Sequence, residues 1–227
     1  MVAGGNLDSG RRAFLAGAAA TGLMALPGCA SMGGISLVEV VRRLLMRSAD
    51  NAFAALVAPG GFWDSSVARF DLPDVFGARG GIAESILTSS LFRERLQRQL
   101  NGLAERGAER AAPVVAEAVR NVGVANATAI IRGGPQAATG FLRDAMGDAL
   151  ITAMIPPLEG ALRVARDPIL TQAIGALVGV DLTGVARSVS GRANDAIWAQ
   201  IGREETLIRA NPEATGDPLL IAGLKLL

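Results

Sequence analysis

Ser36-Leu37-Val38-Glu39-Val40-Val41-Arg42-Arg43-Leu44-Leu45-Met46-Arg47-Ser48-Ala49-Asp50-Asn51-Ala52-Phe53-Ala54-Ala55-Leu56 decides the fold class of this chain. Leu37, Val40, Val41, Leu44, Leu45, Ala52, Phe53 and Leu56 recur at steps of three and four. That spacing gathers apolar groups on one face of an α-helix. Arg43, Arg47 and Asp50 fall on the opposite face. Ser36 suits an N-cap, because its hydroxyl oxygen can accept from a free amide of the first turn. A half-buried strand would alternate with period two. No stretch of the chain does so convincingly, and no internal repeat occurs.

The helical period continues downstream. Phe92, Leu96, Leu100 and Leu103 mark one face of a helix predicted over about Leu91–Val122. Glu94 and Arg98 form a favourable i,i+4 pair on it. Pro113 lacks an amide hydrogen and predicts a kink or interruption. A short helix is predicted around Val124–Ile131, closed by Gly133-Gly134. Glycine accepts the left-handed C-cap conformation, and Pro135 suits the first turn of the next helix. That next helix is predicted over Gln136–Ile155, with Pro156-Pro157 ending it. Asp167-Pro168 and Asp217-Pro218 each read as an N-cap followed by a first-turn proline. Pro168–Val180 carries no charge and is too short to span a membrane, so it reads as a buried helix. A further helix near Arg192–Ala210 turns Ala193, Ile197, Ile201 and Ile208 inward and pairs Glu205 with Arg209. Asn211-Pro212 stops it. The predicted class is all-α: one multi-helix domain of about six to eight helices over residues 36–227, with one long loop after the first helix.

The N-terminal thirty residues read differently. Arg11-Arg12-Ala13-Phe14-Leu15 precedes an uncharged run that ends at Leu26-Pro27-Gly28-Cys29. A basic start, an apolar stretch and small residues at the cut are the parts of an export signal. Gly17, Gly22, Pro27 and Gly28 make the run a poor membrane span. Arg-Arg-x-Phe-Leu resembles a twin-arginine signal, and Leu-x-Gly-Cys resembles a lipobox. The expectation is a signal peptide over residues 1–28, lipidation of Cys29 and a short tether over 29–35. Ordinary secretory export, and cleavage after Ala30, are the alternatives. Ala30 after the cysteine directs the expected lipoprotein to the outer membrane, on its periplasmic side, by analogy with enteric bacteria. Acyl chains on one residue give stable anchoring, since each buried methylene contributes about 0.8 kcal/mol.

Composition narrows the function. Removing residues 1–28 takes away Arg11, Arg12 and Asp8, which leaves basic and acidic residues in balance. Nucleic-acid binding needs a basic face, so the expectation is no nucleic-acid partner. Near-zero charge favours self-association. Cys29 is the only cysteine, so no internal disulfide can form. There is no histidine, hence no Ser-His-Asp triad, no histidine-ligated zinc and no histidine general base. Neither a metal site nor a cofactor is expected, and no catalytic constellation is assigned.

Residues 58–81 break the helical pattern with Pro59-Gly60-Gly61-Phe62-Trp63, Arg69-Phe70-Asp71-Leu72-Pro73 and Gly77-Ala78-Arg79-Gly80-Gly81. A loop of this length is unusual in a compact domain. Phe62, Trp63, Phe70 and Phe76 occur within it. They form either an aromatic ledge for a ligand or rings that pin the loop to the helices.

Several segments resemble one bacterial envelope family, domain of unknown function 4197. Ile130-Ile131-Arg132-Gly133-Gly134-Pro135-Gln136-Ala137-Ala138-Thr139-Gly140-Phe141-Leu142 is similar to its A-I-L-x-G-G-x-x-A-A-T-x-Y-L segment. Gly60-Gly61-Phe62-Trp63 with Phe70-Asp71-Leu72-Pro73 resembles its D-G-F/Y … I-P-L-P loop. Asn101, Glu105 and Pro113 fall where it has M-N-R-A-A-E … P. Glu204-Glu205 with Ile208-Arg209-x-Asn211-Pro212 resembles its E-E-x-x-I-R-x-N-P. The resemblance covers about residues 36–224 and implies an exported helical protein, often a lipoprotein. Gly102, Glu109 and Phe141 depart from the pattern.

The residues that could touch a ligand or partner are therefore Phe62, Trp63, Asn101, Glu105, Arg132, Gly133, Gly134, Thr139, Glu204 and Arg209. Gly133-Gly134 can present amides to an anion, or simply turn the chain between helices. Glu204 and Glu205 point about 100° apart on a helix and read as a solvated face with one ion pair. Arg132 suits the C-terminal end of a helix. Three functions compete. One is a non-catalytic, lipid-tethered envelope protein that binds an envelope partner or itself. Another is a binder of lipid or a small apolar ligand, held between helices or on the aromatic loop. The last is an enzyme using Glu105, Arg132, Thr139 and Glu204, which requires a cavity that brings two of them together.

Overall fold

The computed structural model describes residues 31–32, 35–73, 89–164, 167–176 and 182–225. Arg11, Arg12, Cys29 and Phe76 lie outside them, as does the end of the uncharged stretch after Ala176. A two-residue antiparallel ladder, β1 (Ser31–Met32) and β2 (Ile35–Ser36), pairs Ser31 with Ser36 and Met32 with Ile35. It falls in the predicted tether, where no strand was expected. Everything else regular among the described residues is helical: α1 (Leu37–Leu56), α2 (Ser90–Asn121), α3 (Ala127–Arg132), α4 (Ala137–Met146), α5 (Ala149–Val164), α6 (Pro168–Ala176), α7 (Leu182–Ala210) and α8 (Pro218–Lys225). A 3-10 turn, Pro212–Thr215, joins the last two. The expected all-α class is what the chain forms.

α1, α2, α5 and α7 make the central bundle. The whole predicted apolar face of α1 is buried, with Ser36 Oγ accepting from Glu39 N at 3.3 Å. α2 and α5 meet through Met154 and Leu158, which pass 3.6 and 3.7 Å from where a Cβ on Gly107 would stand. Each fully buried leucine contributes about 1.5–3 kcal/mol. Such stripes outweigh local helix penalties, so Pro113 brings no interruption and the predicted helix end at Pro156-Pro157 does not occur. α2 runs through Pro113, and α5 runs through Pro156 and Pro157 instead of ending there. Pro113 and Pro156 are exposed and Pro157 is half-buried, so carbonyls freed near them can reach water. Meanwhile Leu150, Met154, Leu158 and Leu162 hold the other face of α5 in the core.

The predicted helix over Gln136–Ile155 is two helices. Gly147 breaks it at φ +49°, a left-handed conformation that glycine adopts without strain. α6 is not a buried helix: Leu170 and Ala173 face the core, while Pro168, Thr171 and Gln172 are exposed. Both Asp-Pro caps form as expected. Asp167 Oδ1 accepts from Ile169 N and Leu170 N, and Asp217 Oδ1 accepts from Leu219 N and Leu220 N. The surface of α8 that meets α1 needs Gly223, because a Cβ there would lie 2.4 Å from Val40 Cγ2.

Candidate functional site

The strongest polar construction in the molecule lies where the α3–α4 corner meets the last two turns of α7. Glu205 sits on the buried face of α7, in register with Ile197, Ile201 and Ile208, and is fully enclosed. Its Oε1 accepts from Ala138 N at 3.0 Å and its Oε2 from Thr139 N at 2.7 Å. Thr139 Oγ1 donates to Oε2 at 2.6 Å. The carboxylate therefore occupies the amide-rich end of α4, where negative charge is favoured. One turn on, Arg209 Nε donates to Glu205 Oε1 at 2.7 Å. Its two terminal nitrogens donate to Ile131 O at 2.7 Å and Ile130 O at 3.0 Å, the carbonyl end of α3. One ion pair on α7 thus serves two helix ends of opposite polarity. Gln136 crosses α7 at Gly202, where a Cβ would stand 2.7 Å from its Oε1.

This geometry corrects two readings. Glu205 is not on a solvated face; it is an internal cap. Gly133-Gly134 does not supply a left-handed C-cap: Gly133 has φ −67° and ψ −177°, an extended conformation open to any residue. Gly133 is required by space, since its Cβ would stand 2.5 Å from Ala137 Cβ. Pro135 precedes α4 by two positions, because the helix begins only where Glu205 can reach its amides. Gly133-Gly134 turns the chain between helices, and the anion at the amides that follow, Ala138 N and Thr139 N, is a side chain of the protein itself. Arg132 projects exposed at the end of α3. Glu204, adjacent to Glu205, points elsewhere and accepts from Gln200 Nε2 at 2.9 Å.

The second construction fixes the loop after α1. Asn101, fully buried on α2, accepts from Phe70 N at 3.2 Å through Oδ1. Its Nδ2 donates to Phe70 O at 3.1 Å and to Gln97 O at 2.8 Å. Phe62 and Phe70 are buried and meet edge to face, with ring centres 6.3 Å apart. These rings pin the loop. Trp63 stays half-exposed, with Arg69 and Arg98 guanidinium carbons 4.9 and 4.7 Å from its ring centre. Gly61 lets the loop pass over α1, since a Cβ there would stand 2.3 Å from Ala55 O. Glu105 is half-buried beneath the same turn. Burial pushes its carboxyl above the usual range, against the backbone N–H groups of Phe62 and Gly60, which pull it down. Asp64 adds to the rise and Arg106 opposes it.

Of the residues that an enzyme would need, Thr139 is bonded to Glu205, Glu105 lies under the loop, and Arg132 and Glu204 are separate from both. Among the described residues no group of three or more aspartates, glutamates or cysteines is placed to hold a metal ion. Also among them, no helix is long and apolar enough to cross a membrane.

Residues 32–222 match the family described as "Protein of unknown function (DUF4197)", and the chain belongs to it. No curated protein and no solved structure matches the chain. The segments that carry the family likeness are now physically readable. The Ile130–Leu142 and Glu204–Pro212 segments are the two halves of one interlocked corner. The Phe62–Pro73 segment and Asn101 are the two halves of one loop anchor.

Proposed function

We propose that this member of the family is a lipid-tethered helical protein of the bacterial envelope that acts by binding, not by catalysis. The observation that carries the reading is the enclosure of Glu205. The best-placed carboxylate, threonine and arginine of the family-like segments are bonded to each other and to helix ends, and Glu205 has no exposed surface. Groups held that way maintain shape and are closed to a substrate. The neutral balance of the chain after residue 28 fits a protein partner or a second copy better than a polyanion. The signal-like N-terminus with its single cysteine supports the tether and the periplasmic face of the outer membrane.

The test is the intact mass of the mature protein taken from native membranes. A chain starting at Cys29 with added acyl groups is the expected result. A chain starting at Ser31 in the soluble fraction overturns the tether. Crosslinking in intact cells then tests binding; recovery as a strict monomer without partner overturns that half.

A further inference from the structure

The loop after α1 buries Phe62 and Phe70 but leaves Trp63 half-exposed. The other tryptophan of the chain, Trp198, is buried, and its Nε1 donates to Asn194 Oδ1 at 3.0 Å. The Trp63 indole N–H has no hydrogen-bond partner among the described residues. Two guanidinium groups, those of Arg69 and Arg98, lie against its one ring. Only Arg98 meets a carboxylate, Glu94 Oε1 at 3.3 Å. Arg69 forms no ion pair among the described residues.

The first turns of α2 extend the same surface. Leu91, Arg95 and Arg98 are spaced by four and three, which puts them on one helix face. With Ile169 of α6 they line a dent of about 210 Å³. Leu91 is 68% exposed, Ile169 is half-buried, and Arg95 is exposed with no ion pair among the described residues. Arg98 belongs both to the dent and to the Trp63 stack. Apolar groups, an unbonded indole N–H and three arginines therefore share one continuous patch. The carboxylates beside it are engaged: Glu94 with Arg98, and Asp71 with Gln97 Nε2 at 3.2 Å. Arginine is left in excess.

We propose that this patch rests on the surface of a bilayer that carries anionic phospholipid. Tryptophan settles at the headgroup level, where its ring meets the acyl boundary and its N–H meets lipid oxygens. Arginine lays its stem along the apolar boundary and its guanidinium on phosphate. Leu91 enters the boundary beside them. Other occupants fit less well. The arginines and Leu91 are exposed, so the dent cannot enclose a small anion. A second copy packed on the same patch would set Arg69 and Arg95 against their own counterparts. The balanced charge of the whole chain does not oppose the contact, because attraction to a membrane acts over a Debye length of about 8–10 Å. The inference goes beyond the tether and does not rest on it. An acylated Cys29 would hold the chain ahead of α1, whereas Trp63 follows the opposite end of that helix, about 30 Å along it. Held at both, the bundle lies along the bilayer instead of swinging from it.

Tryptophan fluorescence with vesicles tests it, on the full chain carrying Cys29→Ser so that acylation plays no part. Phosphatidylglycerol vesicles are expected to shift Trp63 emission to the blue, and bromine on their acyl chains to quench it. Phosphatidylcholine vesicles should do neither, and added salt should reverse the effect. The apolar N-terminal run is common to every sample, so only differences between lipids and between variants are read. Trp63→Phe should abolish the response, because Trp198 is buried. Arg69→Gln and Arg95→Gln, both on exposed positions, should each weaken binding about fivefold and leave the melting curve unchanged. Glu94→Gln should tighten it. An equal response to the two lipids, a response that survives Trp63→Phe, or unchanged binding in both arginine variants overturns the proposal. Emission that no vesicle moves also overturns it, and leaves the patch to a soluble acidic partner.

Discussion

Glu205→Gln isolates the interlocked corner, because it keeps the shape of the side chain and changes only what its oxygens can do. Glu205 accepts four hydrogen bonds, two at each oxygen. Glutamine places an NH2 group at one of those positions, facing donors. If it replaces Oε1, it opposes Ala138 N and Arg209 Nε. If it replaces Oε2, the Thr139 hydroxyl can rotate to accept, but Thr139 N stays opposed. The second arrangement is cheaper, yet Arg209 still loses its charged partner at an enclosed site. Breaking a buried ion pair from one side costs about 3–5 kcal/mol. The loss of an anion at the start of α4 falls within that figure and is not added to it. With a urea slope of about 2–3 kcal/mol per molar, the midpoint should fall by roughly 1–2.5 M with the slope unchanged. The assay is urea unfolding followed by far-UV circular dichroism, with Glu204→Gln as the neighbouring control. Glu204 is half-buried and accepts a single hydrogen bond, from Gln200 Nε2, so its variant should shift far less. A Glu205→Gln variant within about 1 kcal/mol of the parent, or equal to Glu204→Gln, refutes the account of the corner.

Three further perturbations reach other parts of the fold. Asn101→Ala strips two of the bonds that hold Phe70 and should cost about 1–3 kcal/mol, since buried Phe70 N is left without an acceptor while Phe70 O keeps Gln97 Nε2 at 2.9 Å; limited proteolysis should then cut within residues 57–73 before any helix is attacked. Gly223→Ala drives a methyl group into the stiff Val40 side chain and should cost about 1–3 kcal/mol, with amide exchange rising in α8 ahead of the bundle. Glu105 has a carboxyl raised by burial, so the fold favours its protonated form: stability attributable to it is complete below the ordinary glutamate range and is lost as pH rises through the raised value. Glu105→Gln should flatten that loss between mildly acidic and neutral pH, as measured by melting temperature, and an unchanged pH profile would count against it.

Much of the fold was legible because local chemistry and tertiary packing agree. The α1 stripe, the Ser36 cap and both Asp-Pro helix starts need nothing beyond neighbours in sequence. The three in-helix prolines misled, because their penalty is local while the stripe that overrides it is assembled from other helices. Gly147 was missed although glycine followed by Asp148 is an ordinary junction between two helices. The role of Glu205 was within reach. Ile197, Ile201 and Ile208 were placed inward, and Glu205 lies on the same line, four residues after Ile201 and three before Ile208. A carboxylate in an apolar stripe needs buried donors, and Ala137-Ala138-Thr139 at the start of a helix supplies them.

The corner also sets an order of events. Residues 130–139 are made early in the second half of the chain, yet their two open helix ends are completed only by Glu205 and Arg209. Synthesis proceeds from the N-terminus, so the first four helices must wait in an unfinished state while α5, α6 and α7 emerge. Closure is a late step, made by a segment that arrives almost last. A chain built this way reports its own completion: truncation before Arg209 removes the lock, and a product lacking it should be recognised as unfolded by the cell's proteases.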